Sequence, residues 1–91
     1  MRSVRVVVSG RVQGVGYRAW AVEEAGARDL AGWVRNRRDG TVEALLSGAG
    51  EAVAAMLVAC REGPRAARVD TVVIEEAEPP GDTDFRVLPT L

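Results

Sequence analysis

Twice in 91 residues the apolar pattern of this chain passes from the alternation of a strand to the three-to-four spacing of a helix and back again. Val4, Val6 and Val8 stand at every second position, and β-branched side chains so spaced predict a strand over residues 3 to 9. Tyr17, Trp20, Ala21 and Ala25 then recur at i, i+3, i+4 and i+8, the face of a helix that Gly26 weakens near its end by roughly 1 kcal/mol relative to alanine. Leu30 to Arg37 returns to strand, and the Asp-Gly pair within Arg38-Asp39-Gly40-Thr41 signals a hairpin into an antiparallel partner from Thr41 to Ser47. Beyond Gly48-Ala49-Gly50, the residues Val53, Met56, Leu57 and Cys60 mark a second helix, which Gly63-Pro64 stops. Val69, Val72, Val73 and Ile74 predict a fourth strand, Pro79-Pro80-Gly81-Asp82 a turn, and Phe85 to Leu88 a short last strand.

Strand-helix-strand-strand-helix-strand, with a short terminal extension, is the split βαβ arrangement. The expected fold class is therefore α+β, a ferredoxin-like βαββαβ sandwich whose antiparallel sheet carries two helices on one face. The length admits one compact core and not two, so residues 1–91 are expected to form a single domain.

What is missing from the composition narrows the chemistry. Histidine is absent and all twelve cationic side chains are arginines, which removes the commonest general base, the Ser-His and Cys-His nucleophile pairs, lysine Schiff bases and the commonest metal ligand. Asp39, Asp70 and the Glu75-Glu76 pair lack the spacing of a metal site. The single cysteine, Cys60, can form no intrachain disulfide and reads as a core thiol in a reducing cytoplasm. The opening MRSVRVVVSG is too short in its apolar run for a signal peptide or a membrane span. A net charge of -1 gives no reason to expect nucleic acid or an anionic membrane as partner, so any anion site must be local.

One stretch fits such a site. GRVQGVGYR, residues 10 to 18, places a glycine-rich loop between the first strand and the first helix. Glycines in a loop can serve the turn alone. They also let successive amides face inward at a helix N-terminus, where the dipole favours an anion. Arg18 stands in the first turn of that helix, where a cation opposes the dipole and an anion would offset it. Asn36 is a second anomaly, because asparagine is depleted in strands; it suits a strand end approaching a hairpin and equally a functional position.

GRVQGVGYR, followed by LAGWVRNRRDGTVEA and ARVDTVVIEE, resembles the acylphosphatase family over essentially the whole chain. The resemblance implies a ferredoxin-like fold and hydrolysis of the carboxyl-phosphate bond of acyl phosphates, releasing inorganic phosphate, with neither metal nor cofactor. It implies that Arg18 binds phosphate, that the backbone from Gln13 through Gly14, Val15 and Gly16 to Tyr17 cradles it, and that Asn36 orients the attacking water. Tyr17 stands where the family usually has phenylalanine, and Arg28-Asp29 where an apolar residue and glycine are more typical. The substrate is expected to be a small acyl phosphate, and the chain a cytoplasmic monomer.

Other readings carry less. Residues 14 to 19 formally match G-x-G-x-x-A, but a dinucleotide fold places its glycines directly after the strand and needs a larger sheet. An RNA-binding domain of this topology would need stacking aromatics and a basic face. A module binding phosphate or carbamoyl phosphate, like those that begin larger carbamoyl-transferring maturation proteins, is a further alternative; Met1 and the absence of a following domain favour a free-standing enzyme. Trp20 and Trp33 are expected to pack in the core. Arg35, Arg37 and Arg38 read as a solvated face, one of which could widen the positive field at the site mouth.

Overall fold

The computed structural model describes residues 1 to 91, which form strand β1 (Arg2–Arg11), helix α1 (Tyr17–Ala27), strands β2 (Ala31–Asn36) and β3 (Val42–Gly48), helix α2 (Gly50–Glu62) and strands β4 (Arg68–Glu76) and β5 (Phe85–Val87). The strands line up as β4-β1-β3-β2-β5. Every neighbouring pair is antiparallel except β2 and β5, which run parallel. The four long strands thus make the expected antiparallel sheet, and the predicted terminal extension joins its edge in parallel, so the whole is mixed.

Register explains where the core lies. Val4 pairs with Leu46, Val6 with Ala44 and Val8 with Val42, which brings the alternate valines of β1 beside the alternate apolar residues of β3 on one face. Val34 continues that layer through its pairing with Ala44. Ala21 and Ala25 of α1 and Val53, Met56, Leu57 and Cys60 of α2 cover it, forming one cluster of buried side chains. Each large aliphatic side chain so buried contributes roughly 1.5–3 kcal/mol. The helical spacings in the sequence therefore identify the residues that face the sheet.

The helix-free face of the sheet is organised by charge. Glu43 is only 3% exposed although it is a carboxylate. The Arg35 Nε donates to it at 2.7 Å and the Arg5 Nε donates to its other oxygen, while Arg5 also reaches Glu75 at 3.1 Å. Trp33 lies on this same face, contrary to its expected place in the core: Val34 takes the helix side, so the period of two sends Trp33 the other way. Its ring is covered by the Arg35 guanidinium, 4.6 Å from the centroid. Trp20, by contrast, packs against the core, partly buried. No helix is long and apolar enough to cross a membrane.

Burial pushes the Glu43 carboxyl up, but the hydrogen bonds and charges of Arg35 and Arg5 outweigh it and hold the group below its ordinary range. A carboxylate depressed in this way stabilises the fold above its unfolded pKa, about 4.3, and that contribution is lost as pH falls through the folded value. Urea denaturation followed from about pH 7 to about pH 3 should therefore show Glu43→Gln less stable than the parent at neutral pH, with a shallower acid decline. Parallel curves for the two proteins would show that Glu43 has no part in the acid limb.

Candidate active site

The chain leaves β1 at Arg11 and enters α1 at Tyr17, and the residues between are pinned by two apolar side chains. Val12 is buried at 1% exposure and Val15 packs against the core. Gly14 and Gly16 alternate with these anchors in left-handed conformations, φ 73° and 80°. A Cβ built on either meets no protein atom within 4 Å, so the backbone conformation, and not crowding, calls for glycine there, and the space before them is open. Among the turn, loop and cap hydrogen bonds none is donated by an amide between Gln13 and Ala19; the first helical bond runs from the Trp20 amide to the Gly16 carbonyl at 3.0 Å. A row of unpaired amides at a helix N-terminus is a positive surface.

Arg18 adds a full charge to it. Arg11, Arg18, Arg38, Arg61 and Arg65 make no ion pair or side-chain hydrogen bond, and Arg18 alone of these is not exposed. The other arginines are occupied: Arg35, for example, is committed to Glu43 on the opposite face and contributes nothing at the site mouth. Arg18 is a half-buried cation without a counter-ion, at a place where the helix dipole also disfavours it.

Asn36 ends β2 on the helix side of the sheet, in register with Val42. Its Oδ1 is buried and has no hydrogen-bond partner, the only such side-chain atom in the protein. A buried acceptor left unpaired costs about 1–3 kcal/mol, so an atom in this state is poised for a donor from outside the chain. Arg18 and Asn36 line a single cleft of about 310 Å³ with Gly14, Gly16 and Tyr17. Val12, Ala19 and Val87 complete its walls, three residues that sequence reasoning did not assign to the site. A depression of about 340 Å³ bounded in part by Gly26, Asp29, Asp84 and Phe85 has two carboxylates and no cation, which repels an anion.

Two side chains hold the cleft together. The Gln13 amide group donates to the carbonyls of Arg37 at 2.8 Å and Thr41 at 2.9 Å, joining the loop to the β2–β3 hairpin directly after Asn36. Since both neighbours are carbonyls, the nitrogen of Gln13 must face them. Gln13 was expected in the cradle for its backbone, and its side chain does not line the cleft. Nor does Val15, whose side chain belongs to the core. Tyr17 is buried, and its hydroxyl donates to the Cys60 carbonyl at 2.8 Å. The helical partner of that carbonyl would be residue 64, a proline with no N–H, so the tyrosine hydroxyl supplies the missing donor. Burial and the neighbouring Cys60 push the Tyr17 phenol far above its ordinary pKa, keeping it protonated for this bond. Burial also pushes the Cys60 thiol up to about 11, which leaves it unionised and unreactive near neutrality.

The acylphosphatase family model matches residues 4–87 of the chain. An acylphosphatase of Azorhizobium caulinodans is 58% identical over 90 residues, covering 98% of this chain and 97% of that protein. One of Rhodospirillum rubrum is 53% identical over 91 residues, covering 100% of both. Among solved structures, acylphosphatase from Bacillus subtilis superposes with a TM-score of 0.93 at 38% identity, covering 97% of this chain and 99% of that one.

Replacing Gln13 with alanine should cost about 1–3 kcal/mol in urea denaturation, because two hydrogen bonds worth about 0.5–1.5 kcal/mol each are lost while both carbonyls keep a backbone donor, the Gly40 amide on Arg37 and the Arg37 amide on Thr41. It should also weaken binding of inorganic phosphate severalfold, measured by competitive inhibition, as the loop loses its tie to the hairpin. Unchanged phosphate affinity in a destabilised variant would separate the tie from the site.

Proposed function

The chain belongs to the acylphosphatase family and is an enzyme that hydrolyses the carboxyl-phosphate bond of acyl phosphates, and on that premise we propose that Arg18 and Asn36 are its catalytic side chains. The observation that carries this reading is the presence, in one cleft, of an unpaired half-buried guanidinium and a buried amide oxygen without a partner. The first is suited to a phosphoryl dianion and the second to a water molecule.

Arg18 holds two phosphoryl oxygens in its fork, and the unpaired amides from Gln13 to Tyr17 receive the charge that remains. The amide oxygen of Asn36 accepts a hydrogen bond from water and so aims its lone pair at phosphorus. As the water oxygen bonds to phosphorus, the bond from phosphorus to the bridging oxygen breaks and the carboxylate leaves with the electron pair. One water proton passes to a phosphoryl oxygen, because asparagine is not basic near neutrality. Acyl phosphates are mixed anhydrides with a good leaving group, so positioning and charge stabilisation suffice for this chemistry.

The reaction in this reading is metal- and cofactor-independent. No carboxylate lines the cleft, and a guanidinium with surrounding N–H donors repels a cation. The buried, unionised Cys60 is unsuited to act as a nucleophile. Residues 1–91 would act as one domain, as a monomer in the cytoplasm, a proposal supported by the single hydrophobic core and the lone reduced cysteine.

Hydrolysis of benzoyl phosphate in the presence of EDTA tests the assignment. Arg18→Gln should lower kcat/KM about a thousandfold and weaken phosphate inhibition. Asn36→Ala should lower kcat about a hundred- to a thousandfold with the inhibition constant of phosphate nearly unchanged. Because that substitution removes an unsatisfied buried acceptor, it should leave the urea midpoint the same or higher. Near-normal turnover by Asn36→Ala would refute the water-orienting role, and activity abolished by EDTA and restored by a divalent cation would refute the metal-free one.

A further inference from the structure

We propose that Val87 and Ala19 form the seat for the acyl part of the substrate and favour apolar acyl groups that fill it. The inference rests on the reading that the phosphoryl group sits between Arg18 and the glycine loop. With that group in place, the sole cation of the cleft is used, and what remains of the wall is Val12, the Tyr17 ring, Ala19 and Val87. Val12 and Tyr17 are buried, whereas Val87 is 46% exposed and Ala19 is exposed, so these last two form the accessible apolar surface of the cleft.

The fold accounts for this placement. β5 pairs in parallel with β2, setting Val87 level with Val34. Val34 is buried on the helix side, so Val87 shares its face. It is an exposed apolar residue at the end of a short edge strand, in a cleft whose unpaired polar side chains are Arg18 and Asn36. Ala19 lies next to Arg18 in the first turn of α1 and offers only a methyl group, which leaves room between helix and strand. The cleft, of about 310 Å³, has room for a phosphoryl group with an acyl substituent beside it.

Comparing Val87→Ser with the parent on acetyl phosphate and benzoyl phosphate tests the seat, because taking the variant-to-parent ratio for each substrate cancels leaving-group differences. Val87→Ser should lower kcat/KM for benzoyl phosphate on the order of three- to tenfold, and for acetyl phosphate less than about twofold. Inhibition by inorganic phosphate should not change, and Val87→Ile should keep the parent's ratio of kcat/KM between the two substrates. An equal fall on both substrates, or a changed phosphate constant, would make Val87 a structural residue and overturn the proposal; no change on either substrate would overturn it as well. Failure of the underlying site reading looks different: Arg18→Gln would then hydrolyse acetyl phosphate at the parent's rate.

Discussion

The pair of hydrogen bonds from the Gln13 side chain to the Arg37 and Thr41 carbonyls is the constraint on which the cleft depends. One wall is a loop that follows β1 and the other is the end of β2, separated in the sheet by β3. Without a direct tie, the distance between Arg18 and Asn36 would follow every fluctuation of a glycine-containing loop. The tie uses carbonyls of the tight hairpin, itself held by the Arg37 amide on Thr41 at 2.9 Å and by Asp39, which accepts from the Thr41 amide and hydroxyl. The flexible side of the site is therefore referenced to its rigid side.

A second link runs through Tyr17 to the C-terminal end of α2. It joins the start of one helix to the end of the other, and it exists because Pro64 leaves the Cys60 carbonyl without a helical donor. The Tyr17 hydroxyl satisfies a buried carbonyl that the chain itself leaves open. The tyrosine and the proline are thus explained together.

The two faces of the sheet divide the arginines by task. On the helix-free face Arg5 and Arg35 neutralise Glu43 in the middle of the sheet, where an isolated carboxylate would be costly. On the helix side Arg18 has no carboxylate near enough to pair. Chains with twelve arginines offer many candidates for an anion site, and pairing removes most of them. The guanidinium left half-buried and unpaired is the one that the glycine loop presents.

Much of the fold was legible in the sequence because periodicity is local. The alternation in β1 and the helical spacing in α2 name their buried residues correctly, and Asp39-Gly40 marks the hairpin that forms. Arg18 and Asn36 stood out as residues contrary to local preference, and they meet in one cleft. Trp33 was misplaced because size alone suggested the core, whereas the pleat alternates and Val34 had already taken the inner side. The side-chain role of Gln13 and the wall formed by Val87 left no local signal, since each depends on a partner more than twenty residues away. Sequence by itself determined the elements, the inward faces of β1 and α2 and the anomalous residues, all of which arise from interactions along a few turns of chain. Tertiary structure alone decided strand order, the parallel docking of β5, which arginines are paired and which buried oxygen lacks a donor, because those follow from contacts between segments that only folding brings together.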